Sequence, residues 1–90
     1  MESLYGRVIG EYGPEHQMVV AIEELSELTK ELTKYLRQEG CYEHLLEEMA
    51  DVYICFQELK IIFGISNLKL VNEVDKKLER LERRLEERKK

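Results

Sequence analysis

The segment from Tyr42 to Phe63 most strongly limits the folds open to this chain, because it is long and contains neither glycine nor proline. From Met49 onward it is apolar on nearly every side of a helix, so it should be buried on more than one face. Gly64 follows it, and a glycine there can end a helix in the left-handed conformation at little cost. The segment therefore predicts a long interior helix.

Other breaks in the chain predict where the remaining helices begin. Proline suits the first turn of a helix, so Gly13-Pro14 indicates the start of another long helix, and Ser66 can cap a later one. We therefore expect one domain over residues 1–90. Residues 1–12 should form an N-terminal arm or a short helix. The first long helix should span residues 14–37, the second long helix residues 42–63, and a basic amphipathic helix residues 66–90.

Composition supports an all-α class. The chain has one proline, five glycines, no tryptophan and long stretches of Glu, Leu, Lys and Arg, which favour helices over strands and tight turns. A chain of ninety residues can bury only a small hydrophobic core by itself. We expect a bundle of three to four helices that is completed by oligomerisation into a homodimer or tetramer.

Charge is unevenly distributed along the chain. Residues 1–75 carry 6 basic and 15 acidic side chains, a net −9, whereas residues 76–90 carry 8 and 4, a net +4. An acidic body argues against binding to a nucleic acid duplex, which needs a basic docking face. The chain shows no secretory signal and no membrane-length apolar run, so we expect a cytoplasmic protein that does not enter membranes.

Two pairs of carboxylates occupy the long helices. Glu24 and Glu27 flank the apolar stripe of the first helix, whereas Glu23 points away from that stripe. Glu48 and Asp51 lie three apart on the second helix, and no lysine or arginine lies within four residues of Asp51. If the helices pack antiparallel through a short turn, the two pairs can face each other.

Four converging carboxylates repel one another and raise each other's pKa values, which a hard divalent cation relieves. Oxygen-only ligands without histidine or thiolate favour Mg²⁺, with Mn²⁺ as a substitute, and Mg²⁺ recruits substrate phosphates as further ligands. The competing interpretation is that acids on a Glu-rich helix form a solvated face. An acid pair set inside an apolar helix shifts the balance toward a metal site.

The two acidic segments, Glu23 to Glu27 and Glu48 to Asp51, resemble the Glu-Glu-x-x-Glu and Glu-x-x-Asp motif of the MazG-like all-α nucleoside triphosphate pyrophosphohydrolases. Further segments that look similar to compact members of that family extend the likeness over about residues 12–85. The resemblance implies Mg²⁺-dependent hydrolysis of a nucleoside triphosphate to the monophosphate and pyrophosphate. It also implies four metal ligands: Glu24, Glu27, Glu48 and Asp51.

The same comparison suggests further roles. Glu24 is the candidate for accepting the proton of the attacking water. The candidates for substrate contact are Gln17, Lys77, Arg80 and Arg84, although helix-entry polarity and a solvated helix face are the commoner explanations of such residues. Many relatives carry an asparagine in the terminal basic motif where this sequence has Leu81.

Two other functions fit the sequence. Apolar residues from Val71 to Leu85 recur at alternating steps of three and four, as in a helix that packs against another helix. The chain could therefore be a non-catalytic helical interaction module. It could also be a relative that binds nucleotide and metal with little hydrolysis. The preferred base and sugar and the number of metal ions are not predicted.

Overall fold

A computed structural model describes residues 3–89 and confirms the all-α class. Outside the described residues lie Met1 and Glu2, at the start of the predicted arm, and Lys90, at the end of the predicted basic helix. The four helices are α1 (Leu4–Tyr12), α2 (Pro14–Leu36), α3 (Tyr42–Ile62) and α4 (Asn67–Arg88).

The N-terminal residues form a helix rather than a loose arm. The Ser3 hydroxyl accepts a hydrogen bond from the Gly6 amide at 3.1 Å and so caps α1. Gly13 adopts φ 92°, a value that residues other than glycine rarely adopt, and Pro14 then begins α2. A sharp break between α1 and α2 follows from this glycine and proline.

The turn after α2 folds the chain back on itself. Gln38 adopts φ 62°, a left-handed conformation that is uncommon for a residue other than glycine. Gly40 lies against the ring of Tyr35, where a Cβ would overlap the ring atoms. The returning helix α3 packs along α2 in the antiparallel sense, and α1 packs against both.

Helix α4 stands apart from this hairpin. The Ser66 hydroxyl caps its start by accepting from the Lys69 amide at 3.1 Å. Among the described residues, α4 packs against none of the other three helices. The radius of gyration is 16.7 Å, against about 12 Å for a compact chain of this length. The molecule is therefore elongated.

The core of the single chain is small. Ala21 and Cys55 are the buried apolar residues among those described. The prediction that the second long helix is buried on more than one face is not met within one chain, since Met49, Tyr53 and Phe56 are 44 to 61% exposed. In the part of the chain that the structure describes, α1 and α2 alone pack on α3, and together they leave one side of it uncovered.

None of the helices in residues 3–89 combines the length and the apolar character that crossing a membrane requires.

Candidate metal centre

Three acidic side chains meet between α2 and α3. Glu24 comes from α2, and Glu48 and Asp51 come from α3, each offering a carboxylate oxygen. These three oxygens all lie within 4.8 Å of one another. Glu48 and Asp51 are three residues apart and so share one side of α3. The antiparallel packing of α2 and α3 brings Glu24 opposite them.

No positive charge neutralises this cluster. In residues 3–89, no lysine, arginine or histidine nitrogen lies within 4 Å of its carboxylates, although ion pairs form elsewhere. The Oε2 atom of Glu48 is buried and has no hydrogen-bond partner among the described residues. A buried carboxylate oxygen without a partner is costly, so the cluster as it stands is electrostatically strained.

The unfavourable environment of the cluster raises the pKa of Glu24. Burial raises the pKa of this carboxyl, and the charges of Asp51 and then Glu48 raise it further, from its ordinary value of 4.5 to about 7. Near neutral pH the carboxyl of Glu24 in the metal-free cluster is therefore partly protonated, and a bound cation would compete with that proton.

Glu27 is not one of the three acids that the structure brings together. Its side chain is exposed on α2, one turn beyond Glu24. Glu23 is exposed as well, as its helical angle predicts. Of the four carboxylates predicted to converge, three do so in the single chain.

The donor set suits a hard divalent cation. All three groups are carboxylates, and there is no thiolate or imidazole in the cluster. Mg²⁺ prefers such oxygen ligands and keeps coordination positions for water or phosphate. Three carboxylates on two rigid helices can hold such an ion and leave part of its coordination shell open.

Gln17, a predicted substrate contact, is committed to another residue. It is only 6% exposed, and its Nε2 donates to both carboxylate oxygens of Glu58, at 3.1 and 3.3 Å. Its Oε1 lies 2.9 Å from Nδ1 of His16. The structure thus places Gln17 in a buried hydrogen-bonded pair between α2 and α3.

The other predicted substrate contacts lie on α4. Lys77, Arg80 and Arg84 are all exposed. Because α4 packs against no other described helix, the single chain does not bring these side chains to the acidic cluster.

Two buried acids were not among the predicted site residues. Glu58 is 4% exposed and pairs with Gln17, and Glu31 is 7% exposed. Glu31 Oε1 lies 3.4 Å from Lys34 Nζ, whereas its Oε2 is buried without a hydrogen-bond partner in the described part of the chain. The signal for Glu58 was present in the sequence, since it is an acid inside the same apolar helix as Asp51.

Comparison of the chain with protein-family models, with curated proteins and with solved structures found no match. Function is therefore inferred from the acidic cluster and from the motif resemblance.

Proposed function

We propose that this protein is a MazG-like, Mg²⁺-dependent nucleoside triphosphate pyrophosphohydrolase that converts a (d)NTP and water to the (d)NMP and pyrophosphate. The observation that carries the proposal is the meeting of Glu24, Glu48 and Asp51 within 4.8 Å between two helices. These residues belong to the two segments that resemble the family motif.

Burial and charge support a cation at this place. The unpartnered Oε2 of Glu48 and the absence of a nearby basic nitrogen in residues 3–89 leave the cluster without a counter-charge. A divalent ion supplies one and removes the repulsion. The exposed side chain of Asp51 fits a solvated acidic face, the competing interpretation, whereas the buried Oε2 of Glu48 does not.

The residues divide the work of the reaction. Glu48 and Asp51 would hold the ion from α3, and Glu24 would hold it from α2. Glu24 faces both of the other acids and is our candidate for accepting the proton of the attacking water. When bound, Mg²⁺ supplies charge neutralisation at the phosphates and a more acidic water. Glu27, one turn away and exposed, completes the proposed set of ligands.

We also propose that the protein is a cytoplasmic homo-oligomer. Leu28, Met49, Val52, Tyr53 and Phe56 line an open apolar depression on the α2–α3 hairpin. A second copy that covers this face would bury the side of α3 that α1 and α2 leave exposed.

The direct test is pyrophosphate release from a panel of canonical and modified nucleoside triphosphates with Mg²⁺ or Mn²⁺. We expect pyrophosphate and the monophosphate as the products, with no release in the presence of a chelator. Release of orthophosphate, or no turnover of any triphosphate in the panel, would contradict the proposed reaction.

Replacing Glu24 with glutamine should change the pH dependence of stability. The native pKa of about 7 exceeds the ordinary 4.5, so the stability this group contributes is fully present below about pH 4.5. It is lost as the pH rises through about 7. We expect the metal-free wild type to lose stability relative to Glu24→Gln over this range. Thermal unfolding of both in chelator, with Glu23→Gln as the matched control, measures the difference.

A second candidate function is favoured by one observation. The apolar side chains of α4 from Val71 to Leu85 are exposed, as in a helical interaction module. Thermal unfolding with and without Mg²⁺ separates the two functions, because a module whose acids serve solubility has no reason to gain stability from the ion.

A further inference from the structure

Helix α4 carries an apolar seam that nothing in the described chain covers. The seam residues are 45 to 61% exposed, and no other described helix packs against α4. They recur at alternating steps of three and four, the spacing that places side chains along one line of a helix. The seam consists of Val71, Val74, Leu78, Leu81 and Leu85.

The two sides of this seam carry opposite charges. At about 100° per residue, Lys77 and Arg84 lie immediately beside the seam on one side. Asp75 and Glu82 lie immediately beside it on the other side. Lys89 is the exception, since it follows the acidic side at the C-terminal end. The seam is therefore bordered by one basic and one acidic edge over most of its length.

We propose that α4 pairs with α4 of a second copy of this chain, seam against seam, as a parallel two-stranded coiled coil. In that arrangement the basic edge of each helix lies along the acidic edge of the other. Lys77 then faces Glu82 of the second copy, and the two-fold symmetry makes this contact twice. The proposal does not depend on the pyrophosphohydrolase activity.

The charges select the parallel arrangement over the antiparallel one. In an antiparallel pair, like edges meet, so Lys77 and Arg84 would lie against their own copies and the acidic edges would do the same. Like charges at these positions are destabilising. The parallel pair contains one kind of like-charge contact, between Arg84 and Lys89, which the two-fold symmetry also makes twice, at the C-terminal end of the helices.

Charge also argues against docking of α4 on the acidic body of either copy. Residues 1–66, which precede α4, carry 5 basic and 13 acidic side chains, a net charge of −8. The basic edge would suit that surface, but the same placement would press Asp75 and Glu82 toward it. A second α4 is the partner that satisfies both edges at once.

The length of the seam fits a coil that assists a dimer rather than one that forms it alone. Val71 to Leu85 spans about two heptads, which is short of the minimum of about three heptads for an independent coil. The α2–α3 faces of the two copies would hold the helices near each other, which raises their effective concentration. A coil too weak to persist alone can then form.

Disulfide trapping tests the orientation. In a parallel coil, position 85 of one copy lies beside position 85 of the other, whereas an antiparallel pair centred on Leu78 separates them by about 20 Å. We expect the full-length Leu85→Cys protein to form a dimer on mild oxidation, linked through the introduced thiols, as peptide mass spectrometry would show. A link from the introduced thiol to Cys41 or Cys55 would place α4 on a body and overturn the proposal.

Charge exchange tests the contact without altering the seam. Lys77→Glu should raise the dimer dissociation constant about tenfold, because it turns two attractions into two repulsions. Adding Glu82→Lys should restore it. Arg83→Glu makes the same charge change on the side of α4 away from the seam and serves as the matched control.

Sedimentation over a concentration series gives the dissociation constants, and circular dichroism confirms that each variant is folded. Monomeric wild type at micromolar concentration, or equal effects of Lys77→Glu and Arg83→Glu, would overturn the proposal. So would failure of the double exchange to recover the wild-type value.

Discussion

Asp51→Asn should abolish the stabilisation by Mg²⁺ and lower kcat/KM for the preferred triphosphate by on the order of 10³-fold. The reason is that the proposed site would lose a charged ligand, and even residues that only support a ligand typically contribute about 10- to 100-fold. The wild type should gain about 2.7 kcal/mol of stability when Mg²⁺ is present at a hundred times its dissociation constant. Thermal unfolding over a Mg²⁺ series and pyrophosphate release measure the two effects.

A series of matched variants distinguishes a defined metal site from a general effect of surface charge. Glu48→Gln should behave like Asp51→Asn, because both acids belong to the cluster. Glu27→Gln should have a smaller effect, since its side chain lies outside the three that already meet. Glu23→Gln, exposed on the same helix, should leave both measurements unchanged. Equal responses across the four variants would mean that general surface charge, rather than a defined site, binds the ion.

Gln17→Leu destabilises the protein by about 2–4 kcal/mol, because the substitution leaves the carboxylate of Glu58 buried without its donor. For a domain of this size the unfolding temperature should fall by about 10 °C or more. Thermal unfolding at one fixed protein concentration, without nucleotide, makes the measurement. The effect belongs to the folded protein alone, since no substrate takes part.

The double variant Gln17→Leu with Glu58→Leu is the control. Removing both partners leaves no orphaned charge, so most of the lost stability should return. Kinetics of the single variant separate the structural role from substrate contact. If Gln17 holds the nucleotide instead, Gln17→Leu will raise KM and leave the unfolding temperature where it was.

The helices could be predicted from local chemistry. Gly13 and Pro14, the turn ending near Gly40, and Gly64 are residues whose backbone preferences act within a few positions, so they indicate helix ends without tertiary information. The approach of Glu48 and Asp51 to Glu24 was also predictable, because three-residue spacing and antiparallel packing suffice to bring them together.

Other features depended on information that a single chain's sequence lacks. The burial of α3 on more than one face, expected for a bundle that is completed by oligomerisation, stays a prediction, because periodicity shows that a face is apolar but not which molecule covers it. The direction in which Gln17 points was not predictable either, since it follows from the position of Glu58, 41 residues away along the chain. The exposure of Glu27 depends on a side-chain conformation that spacing does not determine.

Polar side chains recur every seven residues along the contact between α2 and α3. Gln17, Glu24 and Glu31 follow one line of α2, and Asp51 and Glu58 follow the facing line of α3. Helix surfaces made only of apolar side chains could shift along each other at little cost in free energy. Displacing this hairpin by a single turn, however, would separate Gln17 from Glu58 and leave both side chains buried without hydrogen-bond partners. The hydrogen bonds between Gln17 and Glu58 thus fix the alignment of α2 and α3, and this alignment also keeps Glu24 opposite Glu48 and Asp51.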